Sequence, residues 1–215
     1  MSTERQRPIA AQNPDALPKG INLFAGRILI YPIMLAVLAM TLPGTVARAG
    51  ELAGVKLPDT LNAGGKTLKL NGLGLRKKAV FKVYVGGLYV ETTSRDAGQI
   101  LAADEAKAIR MHFLRDLSQK QLVDGFQEGF EANAKDQAGQ KAAFDRMLAL
   151  VPDRKEGGTL TFIYVPGKGT TLQAGDKDLG TFDGKGFADA VFSIWLGPKP
   201  PSEALKKGMV GTAGS

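Results

Sequence analysis

Hydrophobic and polar positions change their period several times along the chain. Residues 67–78 (TLKLNGLGLRKK) begin in alternation and then carry two glycines. Residues 79–91 (AVFKVYVGGLYVE) are dense in β-branched and aromatic side chains and predict one long strand. The Gly86-Gly87 pair inside that strand marks a bulge or a close backbone approach. Residues 107–114 (KAIRMHFL) alternate, with Ile109, Met111 and Phe113 on one face and Arg110 and His112 on the other. Residues 159–165, 170–174 and 178–182 predict short strands separated by Gly-Lys-Gly and Gly-Asp-Lys turns.

Helical spacing interrupts these strands. Ser118-Gln119-Lys120-Gln121 is a capping-box pattern, in which hydroxyl and amide satisfy orphan groups of a first turn. Leu122, Phe126 and Phe130 follow at spacings of four and share one face. Residues 142–151 continue with Phe144, Met147, Leu148 and Val151 on one face until Pro152. Residues 187–196 (FADAVFSIWL) predict a strongly apolar helix ended by Gly197-Pro198, and residues 202–209 a last short one after Pro200-Pro201. Strands, helices, strands, helices is not regular βαβ alternation. It predicts an α+β domain, a mainly antiparallel sheet with helices packed on one face.

The first fifty residues follow a different pattern. Residues 1–19 are polar, and Arg27 then opens an uncharged run over residues 28–47. Its densest apolar part, residues 28–42, precedes Pro43-Gly44 and the small-x-small triplet Ala47-Arg48-Ala49. A basic flank, an apolar stretch and such a site describe a secretory signal peptide. The alternative is an uncleaved anchor, since twenty residues at 1.5 Å each just cross a bilayer core of roughly 30 Å. Pro32, Pro43 and Gly44 shorten the helical part and favour cleavage. Either way the basic flank stays inside and the rest is exported. The division is residues 1–49 as leader and residues 50–215 as one domain, periplasmic or secreted, or held at the inner membrane.

Composition then excludes much chemistry. The 215 residues are 44% hydrophobic and 23% charged, an ordinary globular balance. With no cysteine there are no disulfides, thiolate nucleophiles, iron–sulfur clusters or Cys-ligated zinc. A single histidine excludes a multi-His metal site. Removing the leader's five basic and two acidic residues from 28 and 21 leaves 23 and 19, a net charge of +4. The lysines are spread along the chain rather than clustered in a stripe suited to nucleic acid. Three apparent motifs fail: Gly167-Lys168-Gly169-Thr170-Thr171 lacks the spacing of a phosphate loop, and Asp176, Asp178 and Asp183 lack calcium-ligand spacing. His112 has no convincing nucleophile near it in sequence and reads as structural.

What survives is Gly72-Leu73-Gly74-Leu75-Arg76 followed by Lys82-Val83-Tyr84-Val85-Gly86-Gly87-Leu88-Tyr89-Val90. Here the sequence resembles the chalcone isomerase-like family, especially its exported bacterial branch. Phe113-Leu114-Arg115-Asp116-Leu117-Ser118 resembles that branch too, as does the ending from Trp195-Leu196-Gly197-Pro198 to Leu-Lys-Lys-Gly-Met. The resemblance covers residues 55–211. It implies an open-faced β-sandwich, a large antiparallel sheet with a helical layer over one face and a ligand cleft between. Arg76 matches the family arginine after the Gly-x-Gly turn, which meets the phenolate or enolate end of a substrate in the isomerases and a carboxylate in fatty-acid binders. Tyr84 falls where isomerases have a catalytic threonine and fatty-acid binders a tyrosine. The isomerases' downstream tyrosine, lysine and asparagine would fall near residues 119–128, where Lys120 is the one remnant.

The resemblance therefore implies an exported, cofactor-free protein without catalytic residues or metal, binding a fatty acid or similar lipophilic carboxylate through Arg76 and Tyr84. Charge-assisted N–H···O bonds and an O–H···O bond suit that head group. The alternatives are an isomerase acting on a chalcone-like phenol, with Arg76 as its electrostatic element, and a scaffold whose cleft has collapsed. Spacing opposes a shared site. On one straight strand Arg76 and Tyr84 would lie about 26 Å apart, and joint contact with one ligand requires a turn or sharp bend between them, or a long arginine reach.

Overall fold

The computed structural model describes residues 50–213; the leader reading falls on residues outside these. Among the described residues there are nine strands, the longer ones built from alternating and β-branched runs: β1 (Glu51–Leu52), β2 (Val55–Lys56), β3 (Thr60–Ala63), β4 (Lys66–Lys78), β5 (Phe81–Val90), β6 (Lys107–Phe113), β7 (Thr159–Val165), β8 (Gly169–Ala174) and β9 (Lys177–Phe182). β1 and β2 pair with each other. The other seven form one sheet in which spatial order equals chain order, β3 to β9, every neighbour antiparallel.

Among the described residues, five helices accompany the sheet: α1 (Ala97–Ala102), α2 (Gln119–Asn133), α3 (Gln137–Leu150), α4 (Lys185–Leu196) and α5 (Glu203–Met209). α2 starts at the Ser118 capping box, with Gln121 N–H donating to Ser118 Oγ and Ser118 N–H to Gln121 Oε1. α4 is apolar over most of its surface because, past its first turn, most of it is covered. It packs on α1, α2, α3 and β8, and every residue from Val191 to Leu196 is buried. Ile109, Met111 and Phe113 enter that core, as their alternation predicts.

Two expectations need correction. Residues 79–91 are not one strand: Ala79 and Val80 form a two-residue turn, and Lys78 pairs with Phe81 across it. Ala79 takes the left-handed region at φ 52°, a position where hairpin turns usually place Gly, Asn or Asp. The Gly-x-Gly segment is not a turn but the middle of β4. A Cβ on Gly72 would lie 2.3 Å from the Gly208 carbonyl oxygen, and one on Gly74 2.1 Å from that of Leu205. These glycines let the α5 backbone lie directly on the strand. Gly86 and Gly87 stay in register; a Cβ on Gly87 would press on Leu57 at 2.7 Å, and the bulges fall instead at residues 70–72 and 76–77 of β4.

Candidate ligand-binding site

The β4–β5 turn converts distance along the chain into contact across it. Arg76 and Tyr84 are direct cross-strand partners, a relationship that puts Cβ atoms about 4.5–5.5 Å apart. The 26 Å separation required a single straight strand and does not arise. Both residues line a cleft of about 540 Å³ between this end of the sheet and α2, within the usual range for small-molecule pockets. Val83, Met111, Leu122, Phe126, Ile194 and Trp195 give it an apolar lining. Lys78, Arg115 and Lys199 add positive charge, Asp124 and Glu128 negative.

Tyr84 is buried, and its hydroxyl accepts a 3.0 Å hydrogen bond from Trp195 Nε1. Burial pushes the phenol up to about 12, partly offset by the Trp195 bond and the Arg76 charge. It stays protonated at ordinary pH. With Trp195 occupying an acceptor position, the phenolic hydrogen finds no acceptor among the described residues and remains a donor for the cleft. The ring packs edge-on against Phe113 at 6.0 Å. Arg76 is half-buried and spends one N–H on the Lys77 carbonyl at 2.6 Å. A guanidinium carries five N–H donors, so most of its fork stays open to an anion.

Along α2 the two glycines differ. A Cβ on Gly129 would strike Ile194 Cγ2 at 2.5 Å, so that glycine seats α2 on α4. A Cβ on Gly125 would meet nothing within 4 Å. Gly125 therefore leaves space in the cleft wall. Sequence reasoning missed Gly125 and Trp195. A helical glycine carries no local signal of what it faces, and Trp195 stands in the sequence only as part of the C-terminal segment of the family resemblance and of an apolar helix, with nothing to tie it to Tyr84.

Lys120 does not enter the cleft. Its side chain is 83% exposed and paired with Asp124 at 2.7 Å. His112 lies on the opposite sheet face from Met111 and Phe113, opposite Val85 and Thr159 in register. Gly167-Lys168 is the β7–β8 turn, and Asp176 lies in the β8–β9 turn.

Residues 49–211 match the profile of the chalcone isomerase-like family. The chain belongs to the chalcone isomerase-like family. Its fold agrees: the crystal structure of a fatty-acid binding protein from Arabidopsis thaliana superposes with a TM-score of 0.62, covering 74% of this chain and 93% of that one. Identity is 17%, so this likeness is one of architecture. Comparison with curated protein sequences gives no match. Within this chalcone isomerase-like domain, the cleft lies between the sheet and α2, the helix whose first residues include Lys120.

Proposed function

We propose that this chalcone isomerase-like protein binds a lipophilic carboxylate, a fatty acid or close analogue, without transforming it, and does so outside the cytoplasm. The observation that carries the reading is the paired anchor: a phenol kept protonated by burial and oriented by Trp195, directly across the strand pair from a half-buried arginine, in an apolar cleft. Charge-assisted bonds from Arg76 and a donor bond from Tyr84 suit one carboxylate. Each tail CH2 laid along the apolar lining adds about 0.8 kcal/mol. A structurally similar protein is a fatty-acid binder. Export rests on the leader pattern of residues 28–49.

Ring closure of a chalcone would ask more of the cleft than charge stabilisation, since the reactive conformer must also be held. α2 offers Gln121, Asp124 and Glu128 there, with Lys120 turned away. Trp195 is the chain's single tryptophan and lines the cleft, so its emission reports occupancy. Titration with hexadecanoate should change that emission saturably, and Arg76→Ala should weaken binding by about ten-fold or more. No saturable change, or equal affinity in Arg76→Ala, overturns the reading. Arg76-dependent loss of chalcone absorbance would replace it with the isomerase.

A further inference from the structure

The tip of the β4–β5 hairpin is built unlike an ordinary surface turn. Val80 is 85% exposed and Phe81 58%, two neighbouring large hydrophobics presented to solvent. Lys77, Lys78 and Lys82 flank them, all exposed. Arg115 lies over the Phe81 ring at 5.0 Å. From Asn71 to Val90 the sequence contains no acidic residue and four basic ones. None of Lys77, Lys78, Lys82 and Arg115 takes part in an ion pair among the described residues. The acid next to Arg115, Asp116, is bound to Lys155 at 2.7 Å, and Asp124 and Glu128 belong to α2.

We infer that this hairpin tip docks on an anionic phospholipid bilayer, with Val80 and Phe81 entering the headgroup boundary and Lys77, Lys78, Lys82 and Arg115 meeting lipid phosphates. Apolar residues ringed by cations match that interface in both hydrophobicity and charge. Two side chains are far too little for the roughly 800 Å² per partner of a standard protein interface, which argues against a protein in that place. Lys78, Phe81 and Arg115 also line the cleft. Docking therefore sets the cleft against the bilayer, where a lipophilic molecule could pass between them without crossing bulk water. The docking itself does not depend on what the cleft holds.

The cysteine-free sequence allows a clean test. Val80→Cys in the full chain is labelled with a polarity-sensitive fluorophore and mixed with vesicles of phosphatidylcholine alone or with phosphatidylglycerol. Lys168→Cys, in the β7–β8 turn at the opposite end of the strands, is the control position, reporting contact of that end of the sheet with the membrane. Circular dichroism confirms that both fold. The expected result is a blue-shifted, several-fold brighter signal at position 80 with anionic vesicles and not at position 168. High salt and the triple Lys77→Gln, Lys78→Gln, Lys82→Gln variant should remove it. No change, an equal change at both positions, or insertion into neutral vesicles indifferent to salt overturns the inference. Brightening with protein concentration in the absence of vesicles also overturns it, in favour of self-association.

Discussion

The Trp195 indole donates to the Tyr84 hydroxyl at 3.0 Å, joining residues 111 positions apart inside the core. Removing either partner strands the other. Trp195→Phe leaves a buried phenol oxygen without its donor, and Tyr84→Phe leaves a buried indole N–H without its acceptor. Each change should cost about 1–3 kcal/mol in urea unfolding, with a further cavity cost for the tryptophan. The double variant should be less destabilised than the sum of the two, by about 1 kcal/mol. Strict additivity would show that the bond contributes nothing.

Tyr84 also sets a stability limit at high pH. Its folded-state pKa is raised to about 12 from 10.0, chiefly by burial. Between those values the folded chain keeps a proton that the unfolded chain has lost, so stability is intact below pH 10 and declines above it. The loss approaches about 2–3 kcal/mol near pH 12. Because Tyr89 is raised similarly and lysines titrate in the same window, the measurement is a difference: the pH profile of the urea midpoint for wild type against Tyr84→Phe. The variant should lose part of the alkaline decline. Superimposable profiles would mean that the phenol ionises freely in the fold.

Much of the architecture was legible wherever a period ran long enough. The capping box at Ser118, the four-spaced face of Leu122, Phe126 and Phe130, and the alternation of Ile109, Met111 and Phe113 all predict the buried positions observed. β1, β2 and β3, of two to four residues, and the six-residue α1 are too short to display a period, whereas the equally short β8 and β9 are marked by the Gly-rich turns around them. The β4–β5 turn escaped because Ala79-Val80 carries none of the residues that favour positive φ; the pairing of the strands imposes it. That one turn decides the site. Arg76 and Tyr84 could be named from the sequence as candidates, but their adjacency is a property of register, and the Trp195 contact one of tertiary packing.

Lys107 gives a prediction of the opposite pH sign. Its ammonium, almost wholly buried, donates to the carbonyl oxygens of Ile100 at 2.6 Å and Ala103 at 2.7 Å, closing the C-terminal end of α1. Burial, with help from the nearby Lys185 charge, lowers its pKa to about 8. Between pH 8 and about 10.4 the unfolded chain holds the proton more firmly, so this group's contribution rises with pH across that window. Lys107→Met should abolish the rise while lowering stability at pH 7, where it leaves carbonyls without their donor. Amide hydrogen exchange over residues 97–103 should speed up in the variant. Unchanged exchange there would show that the helix end does not need the lysine.

The two glycines of α2 separate ligand binding from folding. Gly125 faces open space, so Gly125→Leu places its side chain in the cleft without displacing a neighbour. Replacing a helical glycine should itself raise stability by about 0.5–1 kcal/mol. Gly129→Ala instead drives a methyl to within 2.5 Å of Ile194 Cγ2, an overpacking that should cost about 1–3 kcal/mol. Thermal unfolding should therefore move in opposite directions in the two variants. Hexadecanoate titration should separate them again: Gly125→Leu, the more stable protein, should lose binding at least ten-fold because its cleft is filled, while Arg76 and Tyr84 are untouched. Retained binding in Gly125→Leu would place the ligand somewhere other than this cleft, whatever the arginine does.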